Sequence, residues 1–277
     1  MGYSGSDIAN SAACFVEQGY EFLLVSNRLV IDVLDPSPWG VQMTVLDVLA
    51  PPSHVDIAAL MRVYLRLNEL SFERIGMPPW VMVDLGVMPS AFILIVLAKQ
   101  RVRQIAASHP SAAVAEQLDK LLATADDLRY DGPLPVVGYC AAATPVVAHW
   151  SGFSLCSLLP GLGLGTVAKG VAIGAYRARS MQGVTQYSNP ALRIHRKWGR
   201  MRLLAATVPM HDVPNSLVYG TDLFVDDDRE PSFLLDARDA ARQNLMQQRL
   251  DAQTHAYFVM SPGLTRDERI PILEVAT

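Results

Sequence analysis

Cysteine is scarce in this chain: Cys14, Cys140 and Cys156 are the only three in 277 residues. An odd number at no metal-ligand spacing excludes a disulfide framework and a cysteine-held zinc site, and reads as free thiols in a reducing compartment. Positive charge is also short, with 23 Lys and Arg against 27 Asp and Glu and a net charge of −4. That excludes a nucleic-acid binder held by phosphate contacts, which needs a basic face. A long unbroken apolar run is missing. The most apolar window, residues 80–98, approaches a membrane span, but Asp84, Gly86 and Pro89 interrupt it. Charge on a lipid-facing helix is costly, so no transmembrane segment is expected. No basic start leads into an apolar stretch and a cleavage site, so a secretory leader is not expected and the cytoplasm is. Internal repeats and low-complexity tracts are absent too.

What is abundant is apolar side chain, 51% of residues against 18% charged. A chain of this length suits one large domain, or one domain with extensions, and buries a sizeable core. Its apolar surplus leaves a homodimer or a peripheral membrane contact open.

Local patterns divide the chain. In residues 1–40, the apolar runs 21–25 and 29–34 are split by Ser26 and Asn27 and predict a hairpin. Residues 41–49 predict a strand. After Pro51 and Pro52, Ser53 is placed to cap a helix over 55–72, where Ile57, Leu60, Met61, Tyr64, Leu65 and Leu67 recur at helical spacing. Residues 91–98 predict a buried strand. A helical region follows over about 100–128, broken at His109-Pro110-Ser111 with Ser111 near the second N-cap. Strands are predicted over 135–143, 146–155, 182–188, 198–206 and 216–224. The run Asp226 to Asp228 reads as a solvated turn without metal-ligand spacing. Beyond it, residues 233–250 predict an amphipathic helix and 255–260 an added strand.

Residues 158–199 read LLPGLGLGTVAKGVAIGAYRARSMQGVTQYSNPALRIHRKWG. Gly161, Gly163 and Gly165 alternate and lead at once into Thr166 and a helical pattern. A glycine turn feeding a helix start is an anion site: its N–H groups lack intrahelical partners, and the helix dipole adds positive charge. The dinucleotide fingerprint fails because Thr166 stands where its third glycine belongs. A Walker loop fails because no lysine follows Gly165.

The order of elements carries a resemblance. Gly163, Leu164, Gly165 and Thr166 match the core of the R/Q-x-x-G-x-G/A loop that binds acyl-CoA in the GCN5-related N-acetyltransferase (GNAT) superfamily. A strand follows, and Asn189, Ala191 and Gly199 fit that family's N-x-x-A-x-x-x-Y-x-x-x-G signature with one residue fewer between Asn and Ala. The specific match covers about 40 residues. The resemblance implies an α/β (α+β) fold with a mixed, mostly antiparallel twisted sheet flanked by helices. It places a core at 41–225 with a helical insertion at about 99–130, an N-terminal extension at 1–40 and a C-terminal helix-strand extension at 226–277.

The resemblance also implies transfer of an acyl group from acetyl-CoA, or a longer acyl-CoA, to a small-molecule amine, without a metal. It assigns donor binding to Gly161, Leu162, Gly163, Leu164, Gly165, Thr166 and Asn189, and a backbone N–H around Leu155, Cys156 and Ser157 to the thioester oxygen. Two positions depart from the pattern. Pro160 replaces the Arg or Gln of the loop, which removes one side-chain contact. His195 replaces the tyrosine that often protonates the departing thiolate, a task histidine performs nearer neutrality. The general base is not fixed in the family. His149, on the predicted strand before the loop, is one candidate; Glu69, Glu73 and the pair His211 and Asp212 are rivals. Arg193, Arg196 and Lys197 beside His195 are candidates for the CoA 3′-phosphate or a carrier protein. An acyl-carrier-protein donor, a thioester decarboxylase or hydrolase, and a non-catalytic acyl-CoA-binding module remain as alternatives.

Overall fold

The computed structural model describes residues 4–27, 29–48, 56–72, 87–146, 148–208, 215–225 and 227–277. The chain is mixed α/β, with mostly antiparallel strand pairing and flanking helices. It forms two compact units, one of Gly5–Pro145 and Ser154–Arg177, the other built from Val146–Phe153 and Ala178–Thr277. They divide the strand His149–Ser157.

The first unit opens with α1 (Gly5–Glu17) and β1 (Tyr20–Ser26). The predicted hairpin over 21–34 does not form. Asn27 ends β1: its Oδ1 accepts from Leu29 N and its Nδ2 donates to Met88 O. Residues after it make 3-10 turns at Ile31–Val33 and Pro38–Gly40. The partners of β1 are instead β2 (Thr44–Asp47), in parallel, and β3 (Ser90–Leu97), antiparallel. The N-terminal segment is therefore part of the sheet. A helix α2 (Ile57–Phe72) matches the predicted one, with Asp56 Oδ1 accepting from Ala59 N at its start. The predicted Ser53 cap lies outside the described residues.

All eight residues of β3 are buried. Its unbroken apolar run is the signature of a strand covered on both faces, and the neighbours bear this out. After α3 (Lys99–Ser108) and α4 (Ala112–Asp127) comes β4 (Val136–Val146), antiparallel to β3. On one face, Tyr64 of α2 packs edge-on against Phe92 and Tyr139. On the other, Tyr176 Oη donates to Ala91 O and Cys140 O. The helix break at His109 to Ser111 stands where the sequence puts it, and Ser111 Oγ accepts from Val114 N.

In the second unit the strand order is β5 (His149–Ser157, by its first residues), β6 (Ser180–Gln186), β8 (Ser216–Leu223), β7 (Gly199–Ala205), β10 (His255–Val259), β11 (Arg269–Ala276) and β9 (Phe233–Asp236). Pairing of β5 with β6 is parallel and the rest is antiparallel. Helices α6 (Ala191–Arg196) and α7 (Ala240–Asp251) accompany this sheet. Tyr187, Leu192, Met201, Leu217, Leu235, Met246, Tyr257 and Ile272 share one core, so residues 233–276 complete this core. The predicted helix over 233–250 is corrected in its first turn. Phe233–Asp236 pairs with β11 at a sheet edge, and Asp239 Oδ1, accepting from Arg242 N, starts the helix later. Asp226 lies outside the described residues. Asp227 is no solvated turn residue: its carboxylate is 5% exposed and makes a two-pronged pair with Arg229.

Candidate functional site

The glycine loop joins the end of β5 to α5 (Leu164–Ala175) in the first unit. Gly161 and Gly163 take φ of +83° and +84°, a region that costs an L side chain about 1–2 kcal/mol. Nothing lies within 4 Å of where a Cβ would stand at either glycine, so the space beside them is open. Gly163 is the N-cap, and no side chain caps the helix. The first intrahelical bond is Val167 N to Gly163 O. The amides of Leu164, Gly165 and Thr166 thus have no intrahelical acceptor.

The helix behind the loop is held rigidly. Leu164 packs on Gly138 of β4, and Thr166 is buried. Trp39 lies across the glycine face of α5, with Nε1 donating to Gly170 O, and a Cβ on Gly174 would stand 2.4 Å from that nitrogen. Leu162 at the loop tip is 58% exposed and Pro160 is exposed.

Lys169 is buried on the same helix near Cys140. Burial pushes its amine down to about 8 and the Cys140 thiol up to about 11. Between about pH 8 and the ordinary lysine value of 10.5, the unfolded chain binds more protons at this site than the folded one. Stability contributed by Lys169 therefore rises with pH across that window and is lowest below it. Comparing urea unfolding of wild type and Lys169→Met, the difference is expected to move in favour of wild type by about 1.4 kcal/mol per pH unit above pH 8. A difference that stays flat with pH rejects a neutral amine there.

The residues expected around the thioester follow in β5. Leu155 and Ser157 are half-buried, and Ser157 Oγ accepts from Leu159 N. Cys156 is buried and donates to Ser71 Oγ at 2.7 Å. Burial pushes its thiol up to about 12, against a smaller downward pull from Ser71. The parallel ladder of β5 with β6 covers His149 to Gly152, and among the described residues the rest of β5 takes no part in it.

His149, Asn189 and His195 belong to the second unit, so the glycine loop does not share a unit with them. His149 is exposed at the first residue of β5, with Nδ1 2.7 Å from Ser180 Oγ. Asn189 Oδ1 accepts from Ala191 N, an Asx turn that leads into α6. His195 is not the surface histidine of a basic helix: it is 7% exposed and stacks on Tyr219 with ring centroids 4.7 Å apart. Two basic neighbours are likewise absorbed by the fold. Arg193 donates to Leu264 O and Thr265 O, and Arg196 is buried and donates to Gly199 O. Glu69 is exposed and pairs with Arg66. Glu73, His211 and Asp212 lie outside the described residues. Among the described residues, no group of His, Cys, Asp and Glu could hold a metal ion, and no helix is long and apolar enough to cross a membrane.

Sequence reasoning passed over the hydroxyl and amide groups of Asn68, Ser71 and Tyr139, and it set Ser154 aside because that serine is unremarkable alone. They lie up to 85 residues from their partners and carry no motif. Only the spacing of Asn68 and Ser71 on one helix face, together with a tyrosine inside an apolar strand, hinted at them.

No protein-family profile matches the sequence, and no curated protein matches it. Solved structures that resemble parts of it include two described by a provisional activity. One, from Acinetobacter baylyi ADP1, carries a provisional acetyltransferase assignment; it is 11% identical over 62% of this chain and 90% of its own, with a TM-score of 0.38. The other, from Desulfovibrio desulfuricans, is provisionally an acetyltransferase of the GNAT family; it is 17% identical over 48% of this chain and 98% of its own, with a TM-score of 0.28. Likeness at that level assigns neither a family nor an activity to this chain.

Proposed function

We propose that this chain moves an acyl group from acyl-CoA to an amine by direct attack in a ternary complex. The observation that carries the reading is the uncapped start of α5. Two glycines with positive φ lead into it, the space where their Cβ atoms would stand is open, and the first amides of the helix have no intrahelical acceptor, an arrangement that suits a pyrophosphate. Acyl-CoA is the donor that the sequence resemblance attaches to such a loop, within the expected core 41–225.

In this reading the amine nitrogen attacks the thioester carbon. A backbone N–H around Leu155 to Ser157 receives the developing oxyanion. The C–S bond then breaks and the thiolate takes a proton. His195 is the donor that the sequence resemblance names for that proton, by its motif position; its ring stacks on Tyr219. His149 is not used, because its ring is tied to Ser180 at the exposed start of β5. An acyl-cysteine intermediate is disfavoured: Cys140 and Cys156 are buried, and both thiols are held protonated near neutral pH.

Isothermal titration with CoA and acetyl-CoA tests the proposal, followed by amine-dependent release of CoA. Micromolar binding of both supports it. A folded protein that binds neither rejects it. Turnover with acetyl-CoA, a long-chain acyl-CoA and an acyl-carrier-protein thioester then assigns the donor.

A further inference from the structure

The end of β5 presents side chains as well as backbone to its neighbours. Ser154 and Cys156 project to the face covered by α2, where each has a partner. Ser154 Oγ lies 2.8 Å from Tyr139 Oη, and Tyr139 Oη donates to Asn68 Oδ1 at 3.0 Å. Cys156 Sγ donates to Ser71 Oγ, which donates on to Leu67 O. Beside them the Tyr64 ring sits edge-on to Tyr139 at 4.5 Å, and its buried hydroxyl completes no hydrogen bond of ordinary geometry.

Counting protons fixes the direction of each bond. Burial, and then the neighbouring Tyr64 and Cys156, hold the Tyr139 phenol well above its ordinary value, so it has one proton to give. An amide oxygen can only accept, so that proton goes to Asn68. Tyr139 Oη therefore meets Ser154 as an acceptor, and Ser154 commits its single proton to it. What Ser154 has left is its lone pairs, on a half-buried residue. Such a group takes hydrogen-bond donors and disfavours carboxylates and phosphates. Cys156 offers nothing comparable, since its own proton is committed to Ser71.

We propose that Ser154 accepts a hydrogen bond from the attacking amine, with Tyr139 and Asn68 as positioning residues that keep the serine proton turned away. The assignment rests on the acyl-transfer reading. A neutral amine has N–H bonds to give and a lone pair for the thioester carbon, so one N–H···Oγ bond aims that lone pair. The step balances without the serine reacting. A C–N bond forms, the C–S bond breaks, CoA leaves as a thiolate that takes its proton from the acid of the acyl-transfer reading, and the surplus amine proton passes to solvent.

The test uses the whole chain, acetyl-CoA as donor and hydroxylamine as a small neutral nucleophile, with free CoA as the readout. Ser154→Ala is expected to raise the KM for hydroxylamine about 10-fold, the effect of one lost hydrogen bond. Its Kd for acetyl-CoA is expected to stay at the wild-type value. Ser154→Thr, which keeps the hydroxyl, is expected to restore the KM. Tyr139→Phe keeps the packing but releases the serine proton, and is expected to raise the KM in the same direction. It also serves as the deciding variant if Ser154→Ala does not fold. Unchanged hydroxylamine kinetics in the deciding variant overturn the assignment and leave acyl transfer standing. Wild-type protein that binds acetyl-CoA but shows no hydroxylamine-dependent release overturns it as well. Wild-type protein that binds no acetyl-CoA overturns the acyl-transfer reading, and this assignment with it.

Discussion

Gly163→Asp is expected to weaken CoA binding on the order of 100-fold while the chain stays folded. The backbone at Gly163 has φ of +84°, and the space where a Cβ would stand is open. Aspartate tolerates the left-handed region better than most residues, so the folding cost is about 1 kcal/mol. Its effect on the proposed ligand is far larger. One carboxylate about 5 Å from one phosphate charge, at an effective dielectric of about 20, costs about 3 kcal/mol. Gly163→Asn places a neutral side chain of the same shape on the same backbone and is the control. Titration calorimetry of the two variants against CoA separates charge from shape. Equal affinities for CoA in both would remove the pyrophosphate from this loop.

A second large effect is expected at Gly199, for a different reason. This residue fits the last glycine of the acyltransferase-like signature, but the structure gives it a job in folding. Its φ is +155°, and a Cβ there would stand 2.1 Å from Asp222 O on the paired strand β8. The clash is with backbone, so no side-chain rotation relieves it. Leu223 Cα and the Asp222 carbonyl carbon lie only 3.0 Å away as well. Gly199→Ala is therefore expected to cost more than about 3 kcal/mol, as strain plus displacement of the β7–β8 ladder. Urea unfolding measures it. A loss under 1 kcal/mol would mean that the strands separate there without penalty. The same geometry shows why a motif match is not by itself a catalytic argument: this glycine is explained by its neighbours before any ligand is considered.

His195 illustrates the point from the other side. A motif position singles it out, and the basic residues around it suggested an exposed helix. The fold instead turns Arg193 toward the carbonyls of residues 264 and 265 and buries both Arg196 and the imidazole. Arg193 finds its carbonyls 71 and 72 residues later, and His195 stacks on Tyr219 of another strand, so no local pattern announced where these side chains go.

What the sequence by itself determined is what short-range chemistry decides. Helical spacing placed α2. His109-Pro110-Ser111 placed the break between α3 and α4, because proline restricts the residue before it and a serine hydroxyl can satisfy an N-terminal amide. The apolar run 91–98 predicted a fully buried strand, and alternating glycines marked the uncapped start of α5. Tertiary structure alone decided which strands pair. Residues 21–34 looked like a hairpin because two apolar runs flank a polar pair, yet β1 finds its antiparallel partner at 90–97, beyond the reach of any local rule. Residues 233–236 have helix-compatible spacing, yet they become a strand because the edge of β11 leaves hydrogen-bonding groups to fill. The chain from Asn68 through Tyr139 to Ser154 is of the same kind. Each residue is unremarkable in sequence, and a helix and two strands must pack before their protons acquire a direction.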